Sequence, residues 1–99
     1  MFRFHRTAVL SPSANLAEAA RFAKEISEYT SRKYGLKVEC GLQMFGRPSL
    51  HWFCDAEDIN ELTGTLAKFY ADAEYMALVD RMKDHYVPGT LQDMLVRLI

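Results

Sequence analysis

Hydrophobic and polar positions change their spacing early in the chain. Residues 2–10, FRFHRTAVL, are rich in aromatic and β-branched side chains and end at a Ser-Pro-Ser turn, which predicts a strand. Apolar side chains then recur at intervals of three and four with charged side chains between them, which predicts an amphipathic helix over residues 14–34. Asn15 with Glu18 is a variant of the capping box that starts helices. Gly35 can adopt the left-handed conformation that ends them.

An alternation of period two follows twice, over residues 36–45 and 49–55, and predicts a β-hairpin. The apolar side chains predicted to face the helices are Val38, Cys40, Leu42, Met44, Leu50, Trp52 and Cys54. This assignment assumes an odd-numbered loop around Gly46. A two-residue loop would pair His51 with Leu42, and a slip of one residue moves every side chain across the sheet.

The second half of the chain predicts helix and then strand. A helical pattern covers residues 57–85. Either Asp55 or Asp58 can cap the N-terminus of this helix. The apolar stripe restarts around Asp72, so this region is either one helix or two consecutive helices. Residues 91–98 alternate Met94, Val96 and Leu98 against Asp93, Leu95 and Arg97, which predicts a final strand.

This order of elements, β-α-β-β-α-β, predicts an α+β fold of the ferredoxin-like type. Its right-handed crossovers place the helices on one face of a four-stranded antiparallel sheet. The chain has 99 residues, 49% of them hydrophobic and 25% charged, which predicts one domain over residues 1–99. A domain of this size buries only somewhat over roughly 60% of its unfolded surface, which favours an oligomer.

The sheet face without helices is where a functional site is expected. Alternation places on it Lys37, Glu39, Gly41, Gln43, Phe45, His51, Phe53 and Asp55. On the first strand, one face carries Arg3, His5, Thr7 and Val9 and the other carries Phe2, Phe4, Arg6, Ala8 and Leu10. The sequence leaves open which of these two sets shares a face with His51.

Charge and cysteine patterns narrow the classes of function. Twelve basic and thirteen acidic residues are interspersed, with no basic stripe for nucleic acid and no polybasic run for a membrane. No apolar stretch approaches the roughly 20 residues that span a bilayer, and no signal segment precedes the first strand, so a cytoplasmic location is expected. Cys40 and Cys54 form no C-x-x-C or Cys/His cluster, which favours free thiols and no metal site. The alternative is a disulfide, if the two cysteines lie opposite each other in the hairpin, but the lack of a secretion signal argues against it.

The element order and the C-terminal stretch resemble the dimeric α+β barrel superfamily, with NIPSNAP-like proteins, antibiotic-biosynthesis monooxygenases and stress-responsive barrel proteins. The motif D-x-x-Y…H-x-V-P-G-x-x-x-D-x-L is carried here by Asp72, Tyr75, His85, Val87, Pro88, Gly89, Asp93 and Leu95. The resemblance implies a homodimer whose two sheets face each other around a barrel, often enclosing a small aromatic or apolar ligand. Activities in that superfamily range from cofactor-free oxygenation and haem cleavage to no known catalysis, so the fold does not choose among them.

Each histidine has a structural and a catalytic interpretation. His51 can be a packed, hydrogen-bonded residue, or a general base because an unperturbed histidine titrates at about 6.5. His5 and His85 carry the same ambiguity, and His85 can also be a favourable charge at a helix C-terminus. Haem-degrading members use an Asn-Trp-His set, for which Trp52 and His85 are available, but the first strand has no Asn. The five tyrosines fall at helical spacing, which favours packing.

Two functions follow as hypotheses. The first is a non-catalytic homodimer that binds a small ligand or acts as a scaffold. The second is a monooxygenase-like enzyme that acts on a small aromatic substrate without a cofactor, with His51 as the candidate base. The residues expected to contact the ligand are Phe45, His51, Phe53, His5, Glu39 and Gln43.

Overall fold

A computed structural model describes residues 1–99 as four strands and three helices. In chain order the elements are β1 (Phe2–Val9), α1 (Leu16–Tyr34), β2 (Val38–Leu42), β3 (Ser49–Ala56), α2 (Ile59–Tyr70), α3 (Ala73–Met82) and β4 (Gln92–Arg97). The strands form one antiparallel sheet in the order β2-β3-β1-β4. This is the ferredoxin-like α+β arrangement that the sequence predicts.

Helix α1 begins and ends where its capping residues predict. The Asn15 side chain accepts a hydrogen bond from the Glu18 amide at 3.0 Å, and Gly35 ends the helix with φ of 68°. Its buried stripe includes Ala19, Ala23 and Ile26 and packs against the sheet. None of the three helices combines the length and the apolar character needed to cross a bilayer.

The second helical region consists of two helices. Asp58, and not Asp55, caps α2, because its side chain accepts from the Asn60 amide at 2.8 Å. Asp72 caps α3 by accepting from the amides of Glu74 and Tyr75. The restart of the apolar stripe near Asp72 therefore marks a new helix N-terminus.

The β2–β3 hairpin has the odd-numbered loop on which the assignment of faces depends. Leu42 pairs with Leu50, and the backbone N–H of Gln43 donates to the backbone carbonyl of Ser49 at 2.9 Å. The predicted extent of β2, residues 36–45, was too long, since the strand covers only Val38–Leu42. The chain turns away at Gly46, whose φ is 85°. A Cβ at this position would lie 2.8 Å from the side-chain nitrogen Nε2 of Gln43.

Met44 and Phe45 consequently lie in the hairpin loop, where they are 78% and 91% exposed. The prediction that Met44 faces the helices and Phe45 the opposite face of the strand was wrong. Beyond Leu42 the chain has left the ladder, so alternation no longer applies to these two side chains.

Pairing of the central strand β1 with both neighbours settles its orientation. His5 lies opposite Phe53 on β3 and Met94 on β4, and Thr7 lies opposite His51. The set containing Arg3, His5 and Thr7 therefore shares a face with His51. The buried side chains on the helix-covered side include Ala8, Leu10, Leu50 and Trp52.

Candidate functional site

The sheet face without helices, called the open face below, brings together three of the predicted ligand residues. His5 Nε2 lies 2.7 Å from His51 Nδ1, and His51 Nε2 lies 2.9 Å from Gln43 Oε1. The Gln43 amide nitrogen donates to the Phe45 carbonyl at 2.7 Å. These three side chains form one hydrogen-bonded chain. His5 lies on β1, His51 on β3, and Gln43 directly follows β2.

The backbone carbonyl of Phe45 determines the proton positions along this chain. It holds the amide nitrogen of Gln43, so the Gln43 oxygen faces His51 and must accept a hydrogen from His51 Nε2. His51 Nδ1 then carries a lone pair and accepts from His5 Nε2. The nitrogen left to act as a base is Nδ1 of His5.

The surroundings of His5 favour its neutral form. The ring stacks on Phe53 with centroids 4.5 Å apart and planes 27° from parallel. Partial burial, followed by the proximity of His51 and Arg3, lowers the pKa of His5 below its usual 6.5. A neutral His5 is the form that can donate from Nε2 and accept at Nδ1.

The remaining predicted residues lie outside this cluster. Glu39 is exposed on the open face, opposite Phe53, and its carboxylate lies 3.7 Å from the Lys37 amine. Phe45 contributes its backbone carbonyl while its ring is exposed in the loop. The His85 ring lies edge-on to the ring of Phe22, with the two ring centroids 5.4 Å apart.

A cavity of about 70 Å³, called the helix-side cavity, lies on the other side of the sheet. Fifteen of its seventeen lining residues are hydrophobic, and the two exceptions are Arg6 and Thr30. Among the predicted ligand residues only Phe53 borders it, and the ring of Phe53 stacks on His5 on the open face. This volume is several times the roughly 10–15 Å³ that one water molecule requires and about half of the roughly 150 Å³ of a dry apolar cavity that binds benzene. The apolar lining suits a small apolar molecule, and a ligand with an aromatic ring requires that lining side chains move apart.

Arg6 and Tyr75 supply polar groups in the helix-side cavity. Arg6 donates to both carboxylate oxygens of Asp93 at 2.7 and 2.9 Å, and to the hydroxyls of Tyr75 and Tyr70 at 3.1 Å each. These contacts, with the hydrogen bond to Asp93 first, raise the pKa of Arg6. Burial chiefly raises the pKa of Tyr75, so its hydroxyl stays protonated.

Arg6 was not among the residues predicted to form the site, although the pattern along β1 marks it as unusual. Arg6 is the one charged residue in the alternating set Phe2, Phe4, Arg6, Ala8 and Leu10. A charge on a helix-covered sheet face needs a partner, and here the partner is Asp93 on the neighbouring strand. Asp93 and Tyr75 both belong to the motif that carries the family resemblance.

A second polar cluster surrounds the buried carboxylate of Asp72. It accepts from the hydroxyl of Tyr34 at 2.6 Å, from the hydroxyl of Tyr29 at 2.8 Å and from the amine of Lys33 at 2.9 Å. These bonds, that of Tyr34 first, hold the pKa of Asp72 well below its usual range. Because Asp72 also caps α3, the cluster joins the end of α1 to the start of α3. No group of three His, Cys, Asp or Glu side chains lies close enough together to hold a metal ion.

Comparison with known proteins supports the fold. No protein-family model and no curated protein matches the sequence. Among solved structures, an uncharacterised NIPSNAP domain protein from Burkholderia xenovorans superimposes with a TM-score of 0.80 at 14% identity, covering 100% of this chain and 95% of that chain. An antibiotic biosynthesis monooxygenase superimposes with a TM-score of 0.72 at 15% identity, covering 100% and 99%.

A dimeric protein of unknown function with a ferredoxin-like fold, from Bacteroides fragilis, gives a TM-score of 0.66 at 16% identity, covering 98% of this chain and 96% of that chain. The resemblance found in the sequence, to NIPSNAP-like and antibiotic-biosynthesis-monooxygenase-like proteins, is confirmed as a likeness of fold. At these identities the shared fold carries no assignment of activity.

Proposed function

We propose that the chain is a one-domain, homodimeric protein of the cytoplasm that binds a small apolar or aromatic molecule in the helix-side cavity. In this proposal the open faces of two copies pack against each other, and each copy holds its ligand between its own sheet and helices. The observation that carries the ligand proposal is the cavity itself, with fifteen apolar residues among its seventeen. Concave, apolar cavities with few polar groups are the usual form of small-molecule sites.

The dimer proposal is supported by apolar side chains on the open face. Met94 and Val96 are 50% and 40% exposed there, beside the half-buried ring of Phe53. No helix covers them, and a twofold contact through this face would bury the same side chains of both copies at once. The Bacteroides fragilis protein of the same fold is described as dimeric.

The hydrogen-bonded chain of His5, His51 and Gln43 then lies at the subunit contact. Three of the four ring nitrogens are hydrogen-bonded within the chain, so it can be buried by a second sheet at a lower desolvation cost than isolated polar groups. The cytoplasmic proposal is supported by Cys40 and Cys54, both free thiols. Burial raises the pKa of the Cys54 thiol, which makes it an inert packing residue.

An NMR titration with toluene tests the ligand proposal. We expect amide shifts to concentrate on lining residues such as Trp52, Val79 and Met82. Leu66→Trp should abolish these shifts because Leu66 lines the cavity and the larger side chain would fill it. The same substitution at Leu16, which is 51% exposed on α1, is the control and should leave them unchanged. Shifts scattered over the surface, or insensitive to Leu66→Trp, would overturn the proposal.

A cofactor-independent monooxygenase-like enzyme acting on a small aromatic substrate is the second candidate. It is favoured by the tautomers of the histidine pair, which leave His5 Nδ1 as an available base with His51 as its hydrogen-bonded partner. In such a reaction dioxygen converts a substrate CH₂ group to a carbonyl, and the second oxygen atom leaves as water. The chain shares its fold with an antibiotic biosynthesis monooxygenase.

Oxygen uptake in the presence of anthrone, an activated aromatic CH₂ compound, distinguishes the two candidates. If the enzyme proposal is correct, uptake should require His5 and fall at least tenfold in His5→Phe, which keeps a ring but removes both nitrogens. Uptake that is equal in wild type and His5→Phe, or no higher than without protein, would leave binding as the function.

A further inference from the structure

We propose that the helix-side cavity selects neutral apolar molecules that carry one carbonyl oxygen, and that this oxygen accepts hydrogen bonds from the Tyr75 hydroxyl and from Arg6 Nη1. This inference rests on the proposed binding function and specifies its ligand. Both residues line the cavity, and Arg6 is the only charged residue that does so.

The Tyr75 hydroxyl is a buried donor without an acceptor. The residue is 5% exposed, and its oxygen accepts a hydrogen bond from Arg6 Nη1 at 3.1 Å. The hydroxyl hydrogen has no acceptor among the side chains and backbone around it. Since a hydroxyl both donates and accepts, half of the capacity of this group is unused.

Arg6 also retains one unused hydrogen. A guanidinium has five N–H donors, and four are engaged: two by Asp93, one by Tyr70 and one by Tyr75. The fifth belongs to Nη1, the same nitrogen that holds the Tyr75 hydroxyl. The two atoms that carry the unused hydrogens therefore lie 3.1 Å apart, on two residues that line an otherwise largely apolar cavity.

One ligand oxygen can satisfy both donors. Leaving a buried donor unpaired costs more than a formed hydrogen bond returns, so a ligand with an acceptor gains over one of the same shape without it. A carbonyl oxygen has two lone pairs and can accept from both groups. A purely apolar ligand leaves both groups as they are.

The charge of Arg6 is already balanced, which favours a neutral acceptor over a carboxylate. Asp93 holds the guanidinium through two short hydrogen bonds, so a ligand carboxylate would add a second negative charge beside the first. The cavity offers no other cation to offset the loss of hydration of that charge.

Three probes of nearly equal shape test the proposal by NMR titration: acetophenone, ethylbenzene and benzoate. We expect acetophenone to bind about tenfold more tightly than ethylbenzene, the difference that one or two hydrogen bonds produce. Benzoate should bind more weakly than acetophenone. In Tyr75→Phe the acetophenone affinity should fall toward that of ethylbenzene, while ethylbenzene binding is retained.

Tyr70→Phe is the matched control, because Tyr70 also contacts Arg6 but is 64% exposed and does not line the cavity. It should keep the preference for acetophenone. Equal binding of acetophenone and ethylbenzene, a preference for benzoate, or a preference that survives Tyr75→Phe would overturn this inference and leave the binding function standing. Absence of binding by all three probes would overturn both.

Discussion

His5 and His51 share one hydrogen between Nε2 and Nδ1 at 2.7 Å, and Gln43 fixes its direction from the other side of His51. A proton added at His5 Nδ1 keeps both hydrogen bonds of this chain. A second proton, on His51 Nδ1, would remove the acceptor of the first bond and bring two cations together. The hydrogen-bond geometry therefore has room for one added proton, at His5 Nδ1, and partial burial disfavours that charged form of His5.

The stability of the protein should fall as the pH is lowered below about 6.5. The folded state lowers the pKa of His5 below its usual 6.5, chiefly through burial, so the unfolded chain binds more protons in this range. Stability then rises with pH and is lost as the pH falls through that window. Urea unfolding at several pH values between about 5 and 8 measures the slope.

His5→Gln is the informative variant, because glutamine can still donate to His51 but does not titrate. We expect it to flatten the slope. His85→Gln is the control, since His85 packs on Phe22. If His5→Gln keeps the wild-type slope and His85→Gln flattens it, the assignment to His5 is refuted.

Trp52→Ala should cost about 3–5 kcal/mol of unfolding free energy. The indole is 9% exposed in the core, and its Nε1 donates to the Ala23 carbonyl at 3.2 Å. Trp52→Phe keeps most of the packing and should cost less, about 1–2 kcal/mol. Chemical denaturation measures both, and a loss below about 1 kcal/mol for Trp52→Ala would contradict the core position.

Asp72→Asn should lower the denaturation midpoint at neutral pH more than Asp58→Asn does. Both residues cap helices, and asparagine caps nearly as well as aspartate. Only Asp72 also accepts from Tyr29, Lys33 and Tyr34, and the loss of its charge removes the ion-pair partner of Lys33.

The effect of Asp72→Asn should also depend on pH. The pKa of Asp72 is depressed in the folded protein, so its contribution is present above the usual carboxyl range and is lost as the pH falls through the folded pKa. The difference in midpoint between wild type and Asp72→Asn should therefore shrink in strong acid. A constant difference from neutral to acid pH would show that the charge is not its source.

The open face should hold two copies together. We expect light scattering to give a dimer at micromolar concentration, and Met94→Glu or Phe53→Glu to give a folded monomer, because each places an unpaired charge in the contact. Met76→Glu is the matched control, since Met76 is 43% exposed on α3, on the other side of the sheet. A monomeric wild type, or a dimer that withstands both open-face changes, would contradict the arrangement.

Local sequence signals were sufficient for the topology. Asn15, Gly35 and the alternation through Trp52 each act over a few residues, and each predicts an element that the structure contains. The covered side of β3 was predictable because Leu50, Trp52 and Cys54 recur at a spacing of two. The end of β2 was not, since it depends on where the partner strand begins and on the turn at Gly46.

The candidate site depends on contacts between distant parts of the chain. His5 meets His51 across 46 positions and Arg6 meets Asp93 across 87. Alternation along β1 gives two possible faces, and only the register with β3 chooses between them. Sequence reasoning therefore named His5 and His51 separately but could not pair them, and it gave Arg6 no role.

The central place of β1 has a consequence for the order in which the protein is made. Val9 ends the first of the four strands in chain order, yet one edge of that strand stays without its partner until Arg97, about 90 residues later, has been synthesised. At translation rates of roughly 5–20 residues per second, that delay is about 5–20 s. For this interval a nascent chain carries an unpaired strand edge, which is a template for pairing with other chains and favours aggregation during synthesis.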